Sequence, residues 1–215
     1  EERTREELIS TMRGNPGTWL ETVTEFGNAG LWLDGSKILG AMEQAAAGSS
    51  ELPLAYYYLG QLAERLGYET NAADFRKIAA GLKTDRVFPF QWEAIHILRR
   101  AMEMNTNDAN APYFLGNLLY DWQPEEATKM WERSAAIDPS NPMVHRNLAV
   151  AYSHDSRIDV ADALLKSSST AFLHVTNRVK KAIAQLEQAV ASPTKHALHF
   201  TELDELYADA GKPPE

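Results

Sequence analysis

Cysteine is absent from this chain of 215 residues, which excludes disulfide cross-links and metal sites built on thiolates. Basic residues are in the minority: the net charge is −9, and Lys and Arg form no stripe. We therefore expect no nucleic-acid partner. Hydrophobic residues make up 44% of the sequence, and a chain of this length and composition can bury a core without covalent support.

Long apolar runs are also missing. The longest ones fall well short of the ~20 residues that a membrane-spanning helix needs, so we expect no membrane partner. No charged-then-apolar leader is visible, and we expect a cytoplasmic protein. Because the chain begins at Glu1 rather than at Met and stops at Glu215, we also expect it to be part of a larger protein.

The motifs of common catalytic sites do not occur. There is no Gly-rich phosphate loop, no Gly-x-Ser-x-Gly elbow and no His-Glu-x-x-His. His196 and His199 are one helical turn apart, but a metal site needs further ligands. The adjacent carboxylates of Glu125 and Glu126 point in different directions on a helix, so they make a poor acid–base pair. We expect no enzymatic activity, no cofactor and no metal.

What the sequence does contain is a repeat of about 34 residues. Three pairs of Leu and a small residue mark the period, and each pair precedes an alanine by 11 or 12 residues. Two antiparallel helices approach to about 8–10 Å only where small residues lie at their crossing. The spacing therefore predicts helical hairpins that close at these positions. The pairs are Leu59-Gly60, Leu115-Gly116 and Leu148-Ala149, and the alanines are Ala72, Ala127 and Ala161.

The residues around the second pair resemble a tetratricopeptide (TPR) repeat. The resemblance extends over about residues 52–163 and implies an all-α fold, a TPR-like right-handed α-solenoid of antiparallel helix hairpins. We expect one domain over residues 1–215, with weaker flanking helices in 1–51 and 164–215. The segments that carry the resemblance are Ala111–Tyr120, Glu125–Ala127, Trp131–Ser134 and Ile137–Pro139, with Val144–Tyr152 opening the next repeat.

A narrower resemblance comes from Val87-Phe-Pro-Phe90, which precedes a predicted helix, together with Ala111–Asp121. These segments are similar to bacterial TPR proteins that carry an additional β-rich domain of unknown function and occur in carbohydrate-utilisation gene clusters. The resemblance implies a helical accessory region of a larger carbohydrate-metabolism protein, with a carbohydrate-related partner. The chain itself shows no strand-like alternation, so it would be the helical part alone.

Two stretches break the period. Ala72 and Ala94 are too close for a whole repeat, which predicts a half-repeat near residues 83–104 whose helix, over 91–104, is of the second type and lacks a first-type partner. Over 159–191 apolar or small residues recur at alternating steps of four and three, which predicts one long helix. A hairpin broken near residues 167–169 is the alternative. A long projecting helix would support self-association as a homodimer.

The first half-repeat carries a group of aromatic residues, Phe88, Phe90 and Trp92. They could form a docking knob for a partner or the floor of a pocket. They could instead act as a hydrophobic staple that fixes the half-repeat, and we favour the staple.

The TPR resemblance implies that the first helix of each hairpin lines a concave groove. Tyrosine and amide side chains on such a groove suit extended peptides or sugars, which predicts a non-catalytic scaffold that binds a protein or peptide partner. The alternative is that the tyrosines are packing residues. The lysines and asparagines with which family members bind acidic peptide termini are mostly missing. The groove candidates are Tyr57, Gln61, Glu64, Tyr113, Asn117, Tyr120, Asp121, Arg146, Val150 and His154.

Overall fold

The computed structural model describes residues 7, 10–11, 16–45, 52–84, 87–166, 180–189 and 191, and it contains no strand among them. The chain divides into two compact units, Glu1–Leu118 and Leu119–Glu215. Residues 180–189 are helical. The other helices are α1 (Pro16–Asn28), α2 (Trp32–Ala45), α3 (Leu52–Arg65), α4 (Glu69–Gly81), α5 (Ala94–Met104), α6 (Asn110–Leu119), α7 (Pro124–Ile137) and α8 (Pro142–Lys166).

Glycine ends the first helix of each hairpin in the first unit. Gly30 follows α1 with φ +75°, and Gly67 follows α3 with φ +80°. Residues with a side chain rarely adopt this left-handed backbone conformation, so glycine is the residue that allows the chain to reverse there. After α3 the Tyr68 N–H donates to the Ala63 carbonyl at 2.8 Å, a bond of the kind that closes a helix C-terminus. The hairpin predicted from Leu59-Gly60 and Ala72 is confirmed, and the chain reverses at Gly67.

The predicted crossing of α3 and α4 is also confirmed. Gly60 and Ala72 are both buried. A Cβ atom on Gly60 would lie 3.0 Å from Arg76 Cγ and 3.3 Å from the Ala72 carbonyl oxygen. The absence of a side chain at Gly60 is therefore what lets α4 approach α3 and lets the Arg76 side chain pass between them.

In the second unit the small residue that packs against Ala149 differs from the predicted one. Ala149 forms a buried cluster with Ala182, Ile183 and Leu186. Ala161, the predicted partner, lies on α8 together with Ala149 and cannot close a hairpin with it. The repeat spacing pointed to an alanine of the same helix, because α8 continues from Pro142 to Lys166 without a break.

The same cluster shows that the single long helix predicted over residues 159–191 is wrong. α8 runs without a break from Pro142 to Lys166. If that helix continued to residue 191, Ala149 and Ala182 would be about 50 Å apart, whereas they pack together. The alternative of two helices agrees with this contact, and its predicted break near 167–169 lies outside the described residues. The self-association hypothesis loses the projecting helix on which it depended.

The half-repeat near 83–104 is confirmed, but its helix packs in an unexpected place. The described residues between α4 and α5 form no helix apart from a turn at 92–93. α5 then packs against α3, with Glu93 near Tyr58 at one end and Arg100 bonded to Glu64 at the other. The two helices therefore run parallel, as neighbouring first-type helices do, whereas the sequence predicted a second-type helix. An amphipathic pattern shows which face of α5 is buried but not which helix covers it.

Candidate partner-binding cleft

Tyr57, the first predicted groove residue, is 1% exposed. Its hydroxyl donates to the two carboxylate oxygens of Asp108 at 2.9 and 2.8 Å, and its ring meets the Phe114 ring edge-on. Burial, followed by the negative charge of Asp108, raises the pKa of Tyr57 well above its ordinary value. The expectation of an exposed ring at Tyr57 is therefore wrong, and the packing alternative describes this residue.

Glu64, another predicted groove residue, is the centre of an ion-pair network. Its carboxylate accepts from Arg76 of α4 and, at 2.7 and 3.0 Å, from Arg100 of α5. The hydrogen bond from Arg100 is the main reason that the pKa of Glu64 lies below its usual value, and Arg76 lowers it further against the effect of burial. Arg76 is only 3% exposed, so Glu64 compensates a buried charge and joins three helices.

The predicted groove residues of α6 and the following turn are divided between core and surface. Tyr113 is buried and Asn117 is half-buried. Tyr120 is half-buried, and its ring centroid lies 5.0 Å from that of Trp131. Asp121 is exposed. The tyrosine at 113 therefore packs in the interior as Tyr57 does.

The predicted groove residues of α8 do reach the surface of the second unit. Arg146 is half-buried, and Val150 and His154 are exposed. Their spacing of four residues places them along one side of the helix. They stay a predicted contact surface.

Gln61 lines a cleft of about 210 Å³ in the first unit. We call it the α1–α3–α5 cleft, because these three helices supply most of its walls. Apolar, hydroxyl, amide and charged side chains all contribute. Its lining residues are Val23, Thr24, Gly27 and Asn28 of α1, Trp32 of α2, Tyr58, Gln61, Leu62 and Arg65 of α3, Glu93, and His96 and Ile97 of α5.

One end of the cleft is formed by an aromatic–cation pair. The guanidinium carbon of Arg65 lies 5.6 Å from the centroid of the Trp32 ring. A cation over a tryptophan face is attracted by the ring electrons. A Cβ atom on Gly27 would lie 3.1 Å from Trp32 Cζ3, so the glycine gives the ring its place against α1.

The other end of the cleft contains two buried hydroxyl groups and a carboxylate. Tyr58 is 4% exposed, and burial raises its pKa. The Thr24 hydroxyl is close enough to oppose that rise in pKa, and the charge of Glu93 adds to it. Within the described part of the chain, neither hydroxyl oxygen makes a hydrogen bond of ordinary geometry. Buried polar groups normally have such a partner, so this end of the cleft offers unused hydrogen-bonding capacity.

The structure also exposes the three aromatic residues of the half-repeat. Phe88, Phe90 and Trp92 are 63%, 51% and 56% exposed, and the residues between them are buried. The staple that the sequence favoured is therefore wrong, because a staple would bury its rings. Trp92 directly precedes Glu93, so this aromatic row begins at the edge of the cleft.

The prediction from the sequence missed most of the cleft because it chose residues on a neighbouring side of α3. Tyr57 and Glu64 belong to a stripe that α5 and the Asp108 turn cover, whereas Tyr58 and Arg65 lie one residue further along the helix. One residue is a rotation of about 100° on a helix. The pattern of apolar and polar residues does not separate the two stripes, and only the position of α5 does.

Other kinds of site are not found in the described residues. No three His, Cys, Asp or Glu side chains come together there in a way that could hold a metal ion. None of the helices that can be described has the length and apolar character required to cross a membrane. His196 and His199 lie outside the described residues.

These helices and their contacts define an all-α fold of helix hairpins. No known protein family and no curated protein matches the sequence. The chain is similar to solved TPR structures, at identities of 14–16%. The resemblance to proteins with a β-rich domain in carbohydrate-utilisation clusters stays a prediction.

Three of these structures illustrate the similarity. MamA, from residue 41 to its end, of Desulfovibrio magneticus RS-1 has 14% identity, with 91% of this chain and 85% of that chain covered and a TM-score of 0.43. A TPR repeats protein from Bacteroides fragilis NCTC 9343 has 14% identity, 91% and 99% coverage and a TM-score of 0.44. YrrB, a TPR protein with an unusual peptide-binding site, has 16% identity, 92% and 96% coverage and a TM-score of 0.37.

Proposed function

We propose that this chain is a non-catalytic interaction module that holds a segment of a protein partner in the α1–α3–α5 cleft. The cleft itself is the observation that supports this function. Val23, Leu62 and Ile97 give it apolar walls, and the buried hydroxyls and the amide of Gln61 give it polar groups at fixed places. Sites of this kind gain affinity from the apolar walls and orientation from a few polar groups.

The size of the cleft favours a segment of a larger partner. Its volume of about 210 Å³ is below the roughly 300–1,000 Å³ of pockets that enclose a whole drug-sized ligand. A single side chain fits this space, and the remainder of the partner would then lie on the surface around it. The exposed Phe88, Phe90 and Trp92 are suited to such a contact, since aromatic residues are enriched at protein interfaces.

A peptide-display selection on the purified chain tests the proposal. Peptides recovered from it are synthesised with a fluorescent label, and their dissociation constants are measured by fluorescence polarisation. Gln61→Trp fills the cleft and is expected to weaken binding by at least tenfold. His96→Trp, which changes an exposed residue at the cleft wall, is a second blocking variant.

The matched control is Lys77→Trp, which adds the same side chain at an exposed position of α4 outside the cleft. It is expected to change the dissociation constants by less than twofold. Circular dichroism and thermal unfolding establish that each variant is folded. Failure to recover any binding peptide, or equal binding by the two blocking variants and the control, would contradict the proposed function.

A further inference from the structure

We infer that the α1–α3–α5 cleft selects a lysine side chain of its peptide partner and holds the ammonium group between Glu93, Tyr58 and Thr24. The inference rests on the proposed function, because it names the side chain that the cleft would take. Three observations support it: the acceptor groups at one end of the cleft, the apolar walls of the cleft and the net charge of the chain.

The end of the cleft at Glu93 presents acceptors for a cation. Glu93 has no ion-pair partner among the residues that the structure describes, and its charge acts on Tyr58. The hydroxyl oxygens of Tyr58 and Thr24 are buried, and neither makes an ordinary hydrogen bond to a residue that the structure describes. A lysine ammonium has three N–H donors and no acceptor, which matches one carboxylate and two hydroxyl oxygens.

The walls of the cleft suit the rest of a lysine side chain. Val23, Leu62 and Ile97 are apolar, and the four-carbon stem of lysine packs on such surfaces while its charged end seeks polar partners. The volume of the cleft, about 210 Å³, also suits a single side chain. Norleucine would fill the same walls but would leave the oxygen acceptors unsatisfied, and a buried acceptor without a donor weakens a complex.

The positive charge of Arg65 does not make the cleft primarily a site for acidic groups. Tyr58 and Arg65 are seven residues apart on α3, which separates the two ends by about 10 Å. Arg65 is exposed, and its guanidinium lies against the Trp32 ring. Glu93 is half-buried and has no comparable compensation from the residues that the structure describes, so its carboxylate gains more from a ligand of opposite charge.

The charge of the whole chain favours the same ligand. The net charge of −9 attracts basic segments and repels acidic ones. A peptide that carries lysine is therefore both drawn to the chain and matched by the cleft.

The test uses the peptides recovered by display. We expect lysine in each peptide whose binding is weakened by Gln61→Trp. Each such peptide is made again with norleucine, arginine or glutamate in place of that lysine, and the four versions are compared by fluorescence polarisation. The lysine version is expected to bind at least tenfold more tightly than the norleucine version, as a charge-assisted contact implies.

Variants of the chain assign that preference to the cleft. Glu93→Gln is expected to reduce the ratio of norleucine to lysine dissociation constants to less than threefold, and Glu93→Asp is expected to keep part of it. Glu21→Gln is the matched control, because it removes one carboxylate from an exposed position of α1 and changes the net charge equally. It is expected to leave the ratio unchanged.

Several results would overturn the inference. If lysine and norleucine versions bind equally and Gln61→Trp still abolishes binding, the lysine inference fails and the proposed function stands. Tighter binding of the glutamate version, or recovery of peptides that need the open cleft but lack lysine, would also contradict the lysine inference and leave the proposed function standing. If n-butylamine alone binds as tightly as the lysine peptide, the ligand is a free amine rather than a peptide. If no peptide binds, both proposals fail.

Discussion

The carboxylate of Asp108 has two roles in the first unit. It accepts the hydrogen bond of the buried Tyr57 hydroxyl, and one of its oxygens accepts the backbone N–H groups of Asn110 and Ala111 at 2.9 and 3.0 Å. The N–H groups at the start of a helix have no partner within the helix, so Asp108 caps α6 while it anchors α3.

We expect Asp108→Ala to lower the free energy of unfolding by roughly 2–4 kcal/mol, because the change removes a helix cap and leaves a buried hydroxyl without its acceptor. Urea denaturation followed by circular dichroism measures this quantity. Asp121→Ala is the control, since Asp121 is exposed, and it should change the value by no more than about 0.5 kcal/mol. Equal effects of the two substitutions would show that Asp108 does not have these roles.

Glu64 makes the stability of the first unit depend on pH. Its pKa is lowered in the folded chain, chiefly by the hydrogen bond from Arg100, relative to an unfolded value of about 4.3. A lowered pKa means that the stabilisation is complete above the unfolded value and is lost as the pH falls through the folded one.

We therefore expect the free energy of unfolding to decrease below about pH 4.3 by a larger amount in the natural chain than in Glu64→Gln, in which this titration is absent. At pH 7 the variant should be less stable by about 2 kcal/mol or more, because Arg76 is then buried without its carboxylate. Denaturation curves between pH 3 and 7 provide the comparison, and Glu21→Gln is the control for loss of one surface carboxylate. A Glu64→Gln curve parallel to that of the natural chain would refute the assignment.

At the scale of helices, two glycines lie in different packing environments. Gly60 lies at the crossing of α3 and α4, where an added Cβ atom would be 3.0 Å from Arg76 Cγ. Gly40 lies in the middle of α2, where an added Cβ atom would meet nothing within 4 Å. The intrinsic helix preference of alanine over glycine is the same at both positions, so the difference between them measures packing alone.

We expect Gly40→Ala to raise the free energy of unfolding by up to about 1 kcal/mol, which is the helix-propensity difference. Gly60→Val should lower it by about 1–3 kcal/mol, since a larger side chain forces apart two helices in contact. Gly40→Val is the control for the β-branched side chain itself. Thermal and urea unfolding of the four proteins test this, and a Gly60→Val protein as stable as Gly40→Val would show that the crossing is not tightly packed.

The elements that could be predicted from the sequence are those with a local signal. Gly67 ends its hairpin because a positive φ favours glycine, and Gly60 allows a close crossing because it has no side chain. Ala161 and Ala182 could not be ranked in the same way, since both are small residues at helical spacing and the packing partner of Ala149 depends on where α8 ends. Apart from Gln61, the stripe of α3 that faces the cleft was missed for a related reason: the Asp108 turn covers Tyr57 and Arg100 of α5 binds Glu64, and no local pattern records that packing.

For the molecule as a whole, we expect the excess of acidic residues to affect how fast a basic partner associates and the cleft to affect how slowly it dissociates. Long-range attraction acts on the association rate constant and is screened by salt, whereas contacts made in the bound state act mainly on the dissociation rate constant. With a net charge of −9, removal of one carboxylate anywhere on the chain changes the long-range term only slightly. The two kinds of contribution can therefore be separated by kinetics.

We expect Glu93→Gln and Glu21→Gln to reduce the association rate constant of a lysine peptide by similar small factors, below about twofold, because each changes the net charge by one. Of the two substitutions, only Glu93→Gln should raise the dissociation rate constant, by roughly tenfold, since Glu93 is proposed to bind the ammonium group and Glu21 lies outside the cleft. Surface plasmon resonance at two salt concentrations measures both constants, and higher salt should slow association for all three proteins alike. An effect of Glu93→Gln that appears in association alone would mean that Glu93 attracts the partner from a distance and does not bind it in the cleft.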